Sequence, residues 1–396
     1  MRILILTTSY PSQANPGSGV YIRRMLVCLP GDIQVRVLSP AGRQSPAVMA
    51  PPDRIRTLWF RYAPRAMQTL AHQAGGIPAA LQQQPLRWLQ VPLFCSMMLL
   101  ATWRQTRKAD LIHANWSLCG VIAGLVSRVR AVPAVTTFRG TDITWAGRSL
   151  WCRWMLKLCL ILNRRVVTVS EAMARQVAEW FPNQRCKIQM IPNGVRLRTD
   201  IASAESSAAF TFVVIGNLIR QKNLDLVIRA LARLTNTHTD ARLCIIGEGP
   251  EMRRLGRLAH DLGLDQSIDF KGRMNPEQVL DHLACRHALI LASSGEGRSN
   301  VVLEAMATGV PVIASDIHGV RELIAHEERG LLFDPGDLAQ LAGQMGRLLT
   351  QPDLGRRLAA NARRWVQAQG LTWENTAARY ADLYRVVLFE HRHGKI

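Results

Sequence analysis

The stretch HALILASSGEGRSNVVLEAMATGVPVIAS, residues 287–315, contains a complete strand–loop–helix–strand pattern. HALILAS and VPVIAS are short apolar runs next to turn-forming residues, which is typical of strands buried in a parallel sheet. Between them the chain predicts a helix from about Ser299 to Thr308, and Gly309 stands where a helix usually ends. Because parallel strands are joined through a crossover helix, the stretch predicts an α/β unit with the loop SSGEGRSN at the carboxyl end of its first strand.

The same alternation of strands and helices runs through both halves of the chain. In the first half the predicted strands are RILILT, IQVRVLS, DLIHA, VPAVTTF, RVVTVS and KIQMIP. In the second half they are FTFVVIG, ARLCIIG, SIDFKG, HALILAS, VPVIAS and GLLFDP. We therefore predict the α/β class, with two Rossmann-like doubly wound domains facing across a cleft in which ligands bind.

The length of the chain also favours two domains, since 396 residues are too many for one ordinary core. The polar and small residues of RLRTDIASAESSAA predict a linker over residues 196–209. The first domain then covers residues 1–195, the second covers 210–372, and residues 373–396 form a last helix.

Charge is distributed unevenly between the two halves. Residues 1–199 contain 26 Lys and Arg against 6 Asp and Glu, whereas residues 200–396 contain 23 of each kind. The whole formal net charge of +20 therefore lies in the first half. This asymmetry indicates an anionic partner for the first domain, which could be nucleic acid, an acidic polymer or an anionic membrane surface. A well-solvated basic surface is the alternative.

Residues 54–108 interrupt the regular alternation and are interpreted as a basic amphipathic insertion. Trp, Phe, Tyr and Leu alternate there with Arg and Lys, and no Asp or Glu occurs. The apolar run VPLFCSMMLLATW is too short to span a bilayer, so it could be a core helix. The flanking Arg and aromatic residues instead suit a helix at an anionic lipid interface, or a groove for a lipid-linked acceptor. Nucleic acid is disfavoured because the chain has no nucleic-acid-binding motif.

Cysteine usage predicts a reducing compartment. The eight cysteines are scattered singly and lack the spacing of zinc ligands or of a disulfide framework. The opening MRILILTTSYP predicts a buried strand and a turn rather than a signal peptide. We therefore expect a cytoplasmic location, peripheral at the inner face of the membrane.

Two carboxylates separated by eight positions predict a ligand site at the quoted stretch. Glu296 lies in the glycine-rich loop, where the backbone can approach a ligand closely, and the helix that follows offers N–H groups to a phosphate. Glu304 falls about one turn into that helix, on the face of Asn300 and Val301, and can accept hydrogen bonds from ligand hydroxyls. The alternative is that Glu304 only complements the helix dipole.

The motifs resemble one known family when they are taken in order. EGRSNVVLE followed by AMATGVPVIAS is similar to the signature of retaining GT-B glycosyltransferases of the large family four, which includes sucrose synthases and bacterial polysaccharide or lipid-linked saccharide synthases. The resemblance extends over nearly the whole chain, through SYPSQANPGSGVYIRR, DLIHANW, AVTTFRGTDI, VTVSEAMA, IPNGV, VIGNLIRQKNLDLVIRAL, CIIGEGPE and GLLFDPGD.

The resemblance implies roles for individual residues of the second domain. Glu304 would bind the ribose hydroxyls of a nucleotide-sugar donor, Glu296 would contact the donor sugar near its reacting carbon, and Lys222 would bind the diphosphate. The backbone of Gly297, Arg298, Ser299, Asn300 and Val301 would hold sugar hydroxyls or phosphates. Gly17 and Gly19 of the first domain match a loop that closes near the diphosphate, and Gly272, Arg273 and Met274 match the position of the base.

Two positions depart from the family pattern. Asn217 stands where the family usually has a phosphate-binding Arg, so Lys222 carries more of the charge and Arg220 is a candidate substitute. Arg139 stands where the family often has a His near the donor sugar. Arg cannot act as a base but can bind an anion, so either its role is electrostatic or the donor sugar or acceptor differs, for example by carrying a phosphate or carboxylate. Asp142 matches the acid of that motif and is otherwise a helix N-cap.

The implied reaction is a metal-independent, retaining transfer of a hexose. No DxD motif is present, so no metal or other cofactor is expected, and the departing phosphate itself would take the acceptor proton. The resemblance implies a nucleotide diphosphate sugar as donor, a saccharide or lipid-linked acceptor, and a role in cell-surface polysaccharide or exopolysaccharide biosynthesis in bacteria. It also implies that helix 373–396 returns to the first domain. The alternatives are a nucleotide-sugar epimerase or hydrolase of the same fold, and a catalytically weakened nucleotide-sugar-binding subunit.

Overall fold

The structure, a computed structural model, describes residues 1–12, 15–42, 53–72, 76–197 and 209–394. It divides the chain into two compact units. The first consists of Met1–Gly194 with Trp373–Ile396, and the second of Val195–Thr372. Most of the predicted linker 196–209 lies outside the described residues.

The first unit is built on a parallel sheet of seven strands in the order β3-β2-β1-β4-β5-β6-β7. Central strands such as β4 and β5 are buried along their whole length, as expected for strands covered by helices on both faces. The strands are β1 (Arg2–Leu6), β2 (Gln34–Pro40), β3 (Ile55–Phe60), β4 (Leu111–Asn115), β5 (Ala134–Phe138), β6 (Arg165–Thr168) and β7 (Ile188–Met190).

Helices connect these strands and cover both faces of the sheet. They are α1 (Val20–Val27), α2 (Gly76–Gln83), α3 (Val91–Thr106), α4 (Ser117–Arg130), α5 (Thr141–Arg148), α6 (Leu150–Leu162) and α7 (Glu171–Trp180). Short 3-10 turns occur at Arg65–Met67, Pro85–Gln90 and Pro182–Lys187. Both α3 and α6 pack against α4. Ile3 and Ile5 of β1 share a core with α1, whereas Leu4 and Leu6 share a core with α3 and α4, so the two groups of helices cover opposite faces.

The segment 54–108 contributes a strand to the sheet, and its interpretation as an insertion needs correction. Ile55–Phe60 forms β3, which pairs in parallel with β2 at the edge of the sheet. The helix α3 then makes the crossover from β3 to β4 and buries Phe94 and Met98. The strand was missed because Arg54, Arg56 and Arg61 break the apolar run. Charged side chains are common on edge strands, since these are exposed to solvent.

The second unit contains a parallel sheet of six strands in the order β10-β9-β8-β11-β12-β13. Its strands are β8 (Thr211–Ile215), β9 (Arg242–Ile246), β10 (Ile268–Gly272), β11 (Ala288–Leu291), β12 (Val312–Ser315) and β13 (Leu331–Phe333). Its helices are α8 (Leu224–Thr235), α9 (Met252–Asp261), α10 (Pro276–Ala284), α11 (Asn300–Thr308), α12 (His318–Arg321), α13 (Leu338–Thr350) and α14 (Pro352–Ala368). A 3-10 turn, Arg220–Lys222, precedes α8.

Both units are therefore Rossmann-like α/β domains with doubly wound parallel sheets, and the predicted fold class is confirmed. Strand order reverses direction between β1 and β4 in the first sheet and between β8 and β11 in the second. Such switch points open a crevice at the carboxyl ends of the strands. In the described ranges, no helix combines the length and the apolar character needed to cross a membrane.

The last helix, α15 (Trp373–Arg392), belongs to the first unit and packs against α1. A buried polar network joins it to the sheet. His113 at the centre of β4 is bonded through Nδ1 to the Tyr384 hydroxyl at 2.6 Å and through Nε2 to the Thr137 hydroxyl at 2.8 Å. The Thr137 hydroxyl also lies 3.0 Å from that of Tyr380. Because each of these buried groups has a partner, the network specifies how α15 sits on the sheet.

Burial and the positive charge of Arg139 lower the pKa of His113 to about 3, so the folded state holds a neutral imidazole. Above the usual pKa of 6.5, His113 is neutral in both states and adds no pH dependence. Below it, only the unfolded chain takes up the proton. We expect this one group to lower the free energy of unfolding by about 1.4 kcal/mol per pH unit between about pH 6 and pH 4.

Urea unfolding of the wild type and of His113→Gln across this pH range measures the effect. The variant should show a shallower loss of stability on acidification, whereas His393→Gln, at an exposed position of the same unit, should keep the wild-type slope. Equal slopes for the wild type and His113→Gln would contradict the prediction.

Candidate functional site

A small pocket opens in the second unit at the switch point of its sheet. The loops that follow β8 and β11 diverge here, because their neighbouring strands lie on opposite sides. The pocket is lined by Val214, Ile215, Gly216, Asn217, Lys222, Leu224, Ile290, Leu291, Ala292 and Ser293. Two of the residues predicted from sequence, Asn217 and Lys222, therefore lie at the place where this fold class binds ligands.

Lys222 and Glu296 form an ion pair beside this pocket. The Lys222 ammonium lies 2.5 Å from Oε1 of Glu296, and the Ser293 hydroxyl donates to the same oxygen at 2.8 Å. Both side chains of the pair are mostly buried, with exposed fractions of 22% and 17%. Within the described residues Oε2 of Glu296 receives no hydrogen bond, so it is open to a ligand hydroxyl. The predicted phosphate-binding cation and sugar-binding carboxylate are thus held together.

Direct contacts between two loops hold this pair in place. The Gln221 side-chain amide donates to the Gly295 carbonyl at 2.6 Å, and the Ser294 N–H donates to the Gln221 carbonyl at 2.9 Å. Gly247, with φ 145°, allows the loop after β9 to pack on the loop after β8. A Cβ atom at Gly247 would lie only 1.9 Å from the Gly216 carbonyl oxygen. The loop that carries Lys222 is therefore supported from both sides.

The helix α11 begins directly after the glycine-rich loop, as predicted. Ser299 is its N-cap residue, and Gly309 ends it in the left-handed conformation at φ 75°. Val302, Leu303 and Met306 are buried, whereas Glu304 is half-buried one turn into the helix. Glu304 therefore lies on the one face of α11 that is not part of the core.

Close backbone packing positions the loop in front of α11. Arg298 forms an ion pair with Glu322 at 3.5 Å, and its side chain is only 6% exposed. Burial lowers the pKa of Arg298, while Glu322 opposes the shift. Gly319 of α12 touches the same loop: a Cβ there would lie 2.2 Å from the Glu296 carbonyl oxygen and 3.0 Å from that of Gly297. Only glycine fits at this position without moving the loop.

Arg220 does not line the pocket. Its side chain is 91% exposed and forms a 3.6 Å ion pair with Glu251. Asn217 is exposed at the rim of the pocket. Lys222 is thus the cation among the residues lining this pocket, and the idea that Arg220 replaces the missing Arg has no support in this arrangement.

The residues predicted to contact the base lie at the end of β10. Gly272 adopts φ 66°, Arg273 pairs with Glu248 at 3.2 Å, and Met274 packs partly against the core. The Gly247 N–H donates to the Gly272 carbonyl at 2.8 Å. This hydrogen bond connects the end of β10 to the loop that supports the pocket, but the contact of these residues with a base stays a prediction.

The other predicted residues lie in the first unit, around Arg139. Its guanidinium donates to the Asn115 side-chain oxygen from Nε at 3.0 Å and from Nη2 at 2.7 Å. Nη1 donates to the Asn193 side-chain oxygen at 2.9 Å. The group also lies over the ring of Tyr21, 4.9 Å from its centroid. Burial raises the pKa of Tyr21 to about 12, so its phenol is neutral.

The Asp142 side chain joins two backbone segments of this unit by hydrogen bonds. Its carboxylate accepts from the Ser117 N–H at 2.7 Å and from the Arg139 N–H at 3.0 Å. Burial raises the pKa of Asp142, and these N–H groups oppose the shift. The interpretation as the N-cap of the next helix is wrong, because Gly140 holds that position in α5. Asp142 connects the start of α4 to the loop of Arg139.

Gly17 and Gly19 lie in the loop between β1 and α1. Gly19 is the N-cap residue of α1 at φ 63°, and a Cβ there would lie 2.3 Å from the Ser9 carbonyl oxygen. Gly19 thus sets the start of α1, the helix whose Tyr21 ring lies against Arg139. The role of Gly17 and Gly19 toward a diphosphate stays a prediction.

Sequence reasoning missed the residues that support the site. Gln221, Ser293 and Gly319 act on the pocket of the second unit, and Asn115 and Asn193 act on Arg139. Both Asn residues lie in motifs that the sequence had indicated, DLIHANW and IPNGV, which was the one available signal. Among the described residues, no three His, Cys, Asp or Glu side chains come together as metal ligands, and a metal-independent reaction stays a prediction.

Two family patterns match the chain and together span most of it. The pattern described as Glycosyltransferase Family 4 matches residues 16–199. The pattern described as Glycosyl transferases group 1 matches residues 198–365. The first covers the strands and helices around Arg139, and the second covers the pocket with Lys222 and Glu296.

The chain is also similar to individual glycosyltransferases of known name or structure. The chain is 27% identical over 308 residues to N-acetyl-alpha-D-glucosaminyl L-malate synthase of Bacillus anthracis, covering 75% of this chain and 80% of that protein. It is 33% identical over 215 residues to a GDP-mannose-dependent alpha-(1-6)-phosphatidylinositol monomannoside mannosyltransferase of Mycobacterium tuberculosis, covering 50% of this chain and 56% of the relative. Among solved structures, HepE of Anabaena in complex with UDP-glucose has a TM-score of 0.73 at 18% identity, covering 98% of this chain and 100% of that one.

Gly319→Ala tests whether backbone packing positions the loop of Glu296. The added methyl group overlaps the Glu296 carbonyl oxygen, so we expect the loop to shift, at a cost in stability of about 1–3 kcal/mol and with weaker ligand binding at the pocket. Calorimetric titration with nucleoside diphosphates and thermal unfolding measure the two effects.

Gly256→Ala is the matched control, because a Cβ at this position of α9 meets nothing within 4 Å. It should bind as the wild type does. Wild-type binding by Gly319→Ala would show that the loop tolerates the displacement and that the close approach is unimportant for the pocket.

Proposed function

Because the chain belongs to glycosyltransferase family 4 and has the GT-B fold, we propose that it moves a hexose from a nucleotide diphosphate sugar to a lipid-linked saccharide acceptor. The Lys222–Glu296 pair at the switch point of the second sheet carries this proposal. One side chain can neutralise a diphosphate and the other can accept from a sugar hydroxyl. Lys222 lines the pocket, and its ion pair holds Glu296 beside it. The UDP-glucose complex of the structurally similar HepE supports a donor of this class.

In the proposed donor site, Lys222 exchanges its partner Glu296 for the diphosphate of the donor. In the structure the Lys222 ammonium is bound to Glu296, whose Oε2 remains open. A bound diphosphate would compete for the ammonium, and Glu296 would turn to the donor sugar. The half-buried Glu304 is well placed one turn into α11 to accept from ribose hydroxyls. The glycine-rich loop and the start of α11 would add N–H donors for phosphate oxygens.

The reaction we propose is metal-independent and retains configuration. The bond between the sugar carbon and the diphosphate oxygen breaks, and an acceptor oxygen bonds to that carbon on the same face. The proton of the acceptor hydroxyl passes to the departing diphosphate. Lys222 stabilises the charge that develops on this leaving group, and no side chain is needed as the base.

The acceptor side of the proposal rests on an apolar and basic surface of the first unit. Its members are large apolar side chains with exposed fractions of 50% or more, namely Leu86, Trp88, Leu89 and Leu93 near the start of α3 and Leu150, Trp151 and Trp154 at the start of α6. No acidic residue occurs from Arg54 to Lys108. We call these seven residues the apolar rim. Exposed aromatic and leucine side chains among cations fit an anionic bilayer surface.

The topology places the apolar rim at the carboxyl edge of the first sheet. Both α3 and α6 run back to the start of the next strand, so each begins at the edge where the strands end. Both also pack against α4 on one face of the sheet. A membrane bound there would lie at the same edge as the loop of Arg139. This position suits an acceptor that is itself anchored in the membrane.

Cell-surface polysaccharide biosynthesis is the process that we propose for this activity. The mycobacterial relative is named for a phosphatidylinositol mannoside acceptor, and the Bacillus relative for transfer to a small acid. The basic first unit and the apolar rim favour the first kind of acceptor here. The protein would then act at the inner face of the cytoplasmic membrane.

Substitutions at the ion pair test the donor site. Lys222→Met should weaken nucleoside diphosphate binding by about ten- to a hundredfold, because a charge-assisted contact is lost. Glu296→Gln keeps hydrogen-bonding capacity but removes a competing negative charge, so it should bind the diphosphate at least as tightly as the wild type. Its transfer rate should fall by about a hundredfold or more. Calorimetry and a donor-consumption assay measure the two quantities.

Arg364→Met, on the exposed surface of α14, removes one positive charge from the same unit and serves as the control. It should bind nucleotides normally. Unchanged binding by Lys222→Met would contradict the assignment of the donor site. Donor binding by the wild type with neither transfer nor donor hydrolysis would favour a binding subunit, and epimerised donor without transfer would favour an epimerase.

Vesicle sedimentation tests the apolar rim. We expect the wild type to sediment with vesicles that contain phosphatidylglycerol at low salt, and much less with pure phosphatidylcholine. Replacing Trp88, Leu89 and Leu93 by Ser should lower partitioning by about tenfold or more, because insertion of each large side chain contributes about 1.5–3 kcal/mol at full burial.

The matched control replaces Val386 and Phe389 of α15, which are 49% and 56% exposed. These belong to the helix that packs with α1 on the opposite face of the sheet. The control should sediment as the wild type does. Absence of wild-type binding to anionic vesicles at low salt would remove the membrane from the proposal.

A further inference from the structure

Four residues that take no part in the Lys222–Glu296 site of the second unit meet at one point of the first unit. Tyr21 follows the loop after β1, Asn115 ends β4, Arg139 follows β5, and Asn193 follows β7. Three of these positions lie at carboxyl ends of strands, and Tyr21 lies at the start of the first crossover helix. Their side chains contact one another through the Arg139 guanidinium. The cluster therefore occupies the edge of the sheet at which this fold class binds ligands.

The positive charge of Arg139 is not neutralised by this cluster. Its three side-chain hydrogen bonds go to the amide oxygens of Asn115 and Asn193, which are neutral. Asp142, three positions further along the chain, accepts from backbone N–H groups instead. A guanidinium has five N–H donors, so these three bonds leave one on each terminal nitrogen without a partner in the described part of the chain. A half-buried cation without a counter-ion is costly unless an anion binds to it.

Asn115 supplies a second and independent sign of a missing ligand. This residue is fully buried, and its side-chain nitrogen has no hydrogen-bond partner. The orientation of the amide is set by Arg139, since only the amide oxygen can accept from the guanidinium. The unpaired N–H group thus sits in the same small planar amide that touches Arg139. Buried donors are nearly always paired in native proteins, so an unpaired one beside a cation indicates an acceptor that binds from outside.

We propose that Arg139, Asn115 and Asn193 form an oxyanion subsite that takes the carboxylate or phosphate group of an acidic saccharide substrate. The two remaining guanidinium N–H groups can hold two oxygens of such a group, and charge-assisted pairs of this kind are strong and directional. The neutral ring of Tyr21 closes one side of the guanidinium. This inference rests on the proposed function, because it names the class of saccharide that the enzyme uses.

Binding of paired probes to the full-length protein tests the subsite. One arm compares UDP-glucuronate with UDP-glucose and places the anion on the donated sugar. The other compares methyl glucuronide and glucose 1-phosphate with methyl glucoside and places it on the acceptor. In at least one arm we expect the anionic probe to bind about ten times more tightly than the neutral one, and Arg139→Gln should abolish this preference.

Two further variants separate the subsite from general attraction to a basic surface. Arg148→Gln removes an exposed charge from the last turn of the adjacent helix α5, and it should keep the preference. Asn115→Asp gives Arg139 a counter-ion of the same shape, and it should lose the preference while Arg139 is still present. This second variant keeps the test decisive if Arg139→Gln does not fold.

The outcomes also distinguish this inference from the proposed function. The inference fails if no anionic probe is preferred by the wild type, or if the preference survives in Arg139→Gln. If Arg139→Gln does not fold, survival of the preference in Asn115→Asp overturns the inference. If UDP or GDP alone binds through Lys222 in that case, the proposed donor site still stands. If neither nucleotide binds while the anion preference depends on Arg139, the subsite stands and the proposed function fails. The arm that shows the preference identifies the substrate that carries the anion.

Discussion

The parallel arrangement of both sheets is the constraint on which the rest of the structure depends. Parallel strands must be connected by crossover helices, so every strand in a sheet ends at the same edge. The candidate site residues, such as Lys222 and Glu296 in one unit and Arg139 in the other, all lie in loops at such an edge. For the same reason α3 and α6 both begin at one edge of the sheet, and the residues of the apolar rim lie together at that edge.

Backbone packing holds the loops around the pocket of the second unit in place. Loops after different strands contact each other directly, through Gln221 and Gly295 and through Gly319 against Glu296. These contacts hold a carboxylate and an ammonium 2.5 Å apart. Both charges therefore stand at set positions on supported loops, which is what electrostatic preorganisation of a site requires.

The first unit combines a fully paired histidine inside its sheet with an unpaired polar cluster at the edge of that sheet. His113 is paired on both ring nitrogens and joins α15 to the sheet. Two residues further along β4, at the carboxyl edge, Asn115 has an unpaired amide nitrogen and contacts Arg139, whose charge is not neutralised. The two residues differ in position: His113 lies inside the sheet, where only the protein can pair it, whereas at the carboxyl edge a ligand can complete the set.

The sequence by itself determined the strand–helix alternation, the fold class, the start and end of α11, and the family, because apolar periodicity and ordered motifs are local properties of the chain. It did not reveal β3, whose arginines hide the apolar run, nor the position of Asp142 within α5. Only the tertiary structure decided that Lys222 pairs with Glu296, that Arg220 turns outward to Glu251, and that Asn115 and Asn193 share Arg139. The physical reason is that these contacts join segments separated by many residues, and their distances are set by how crossover helices bring the strand ends together.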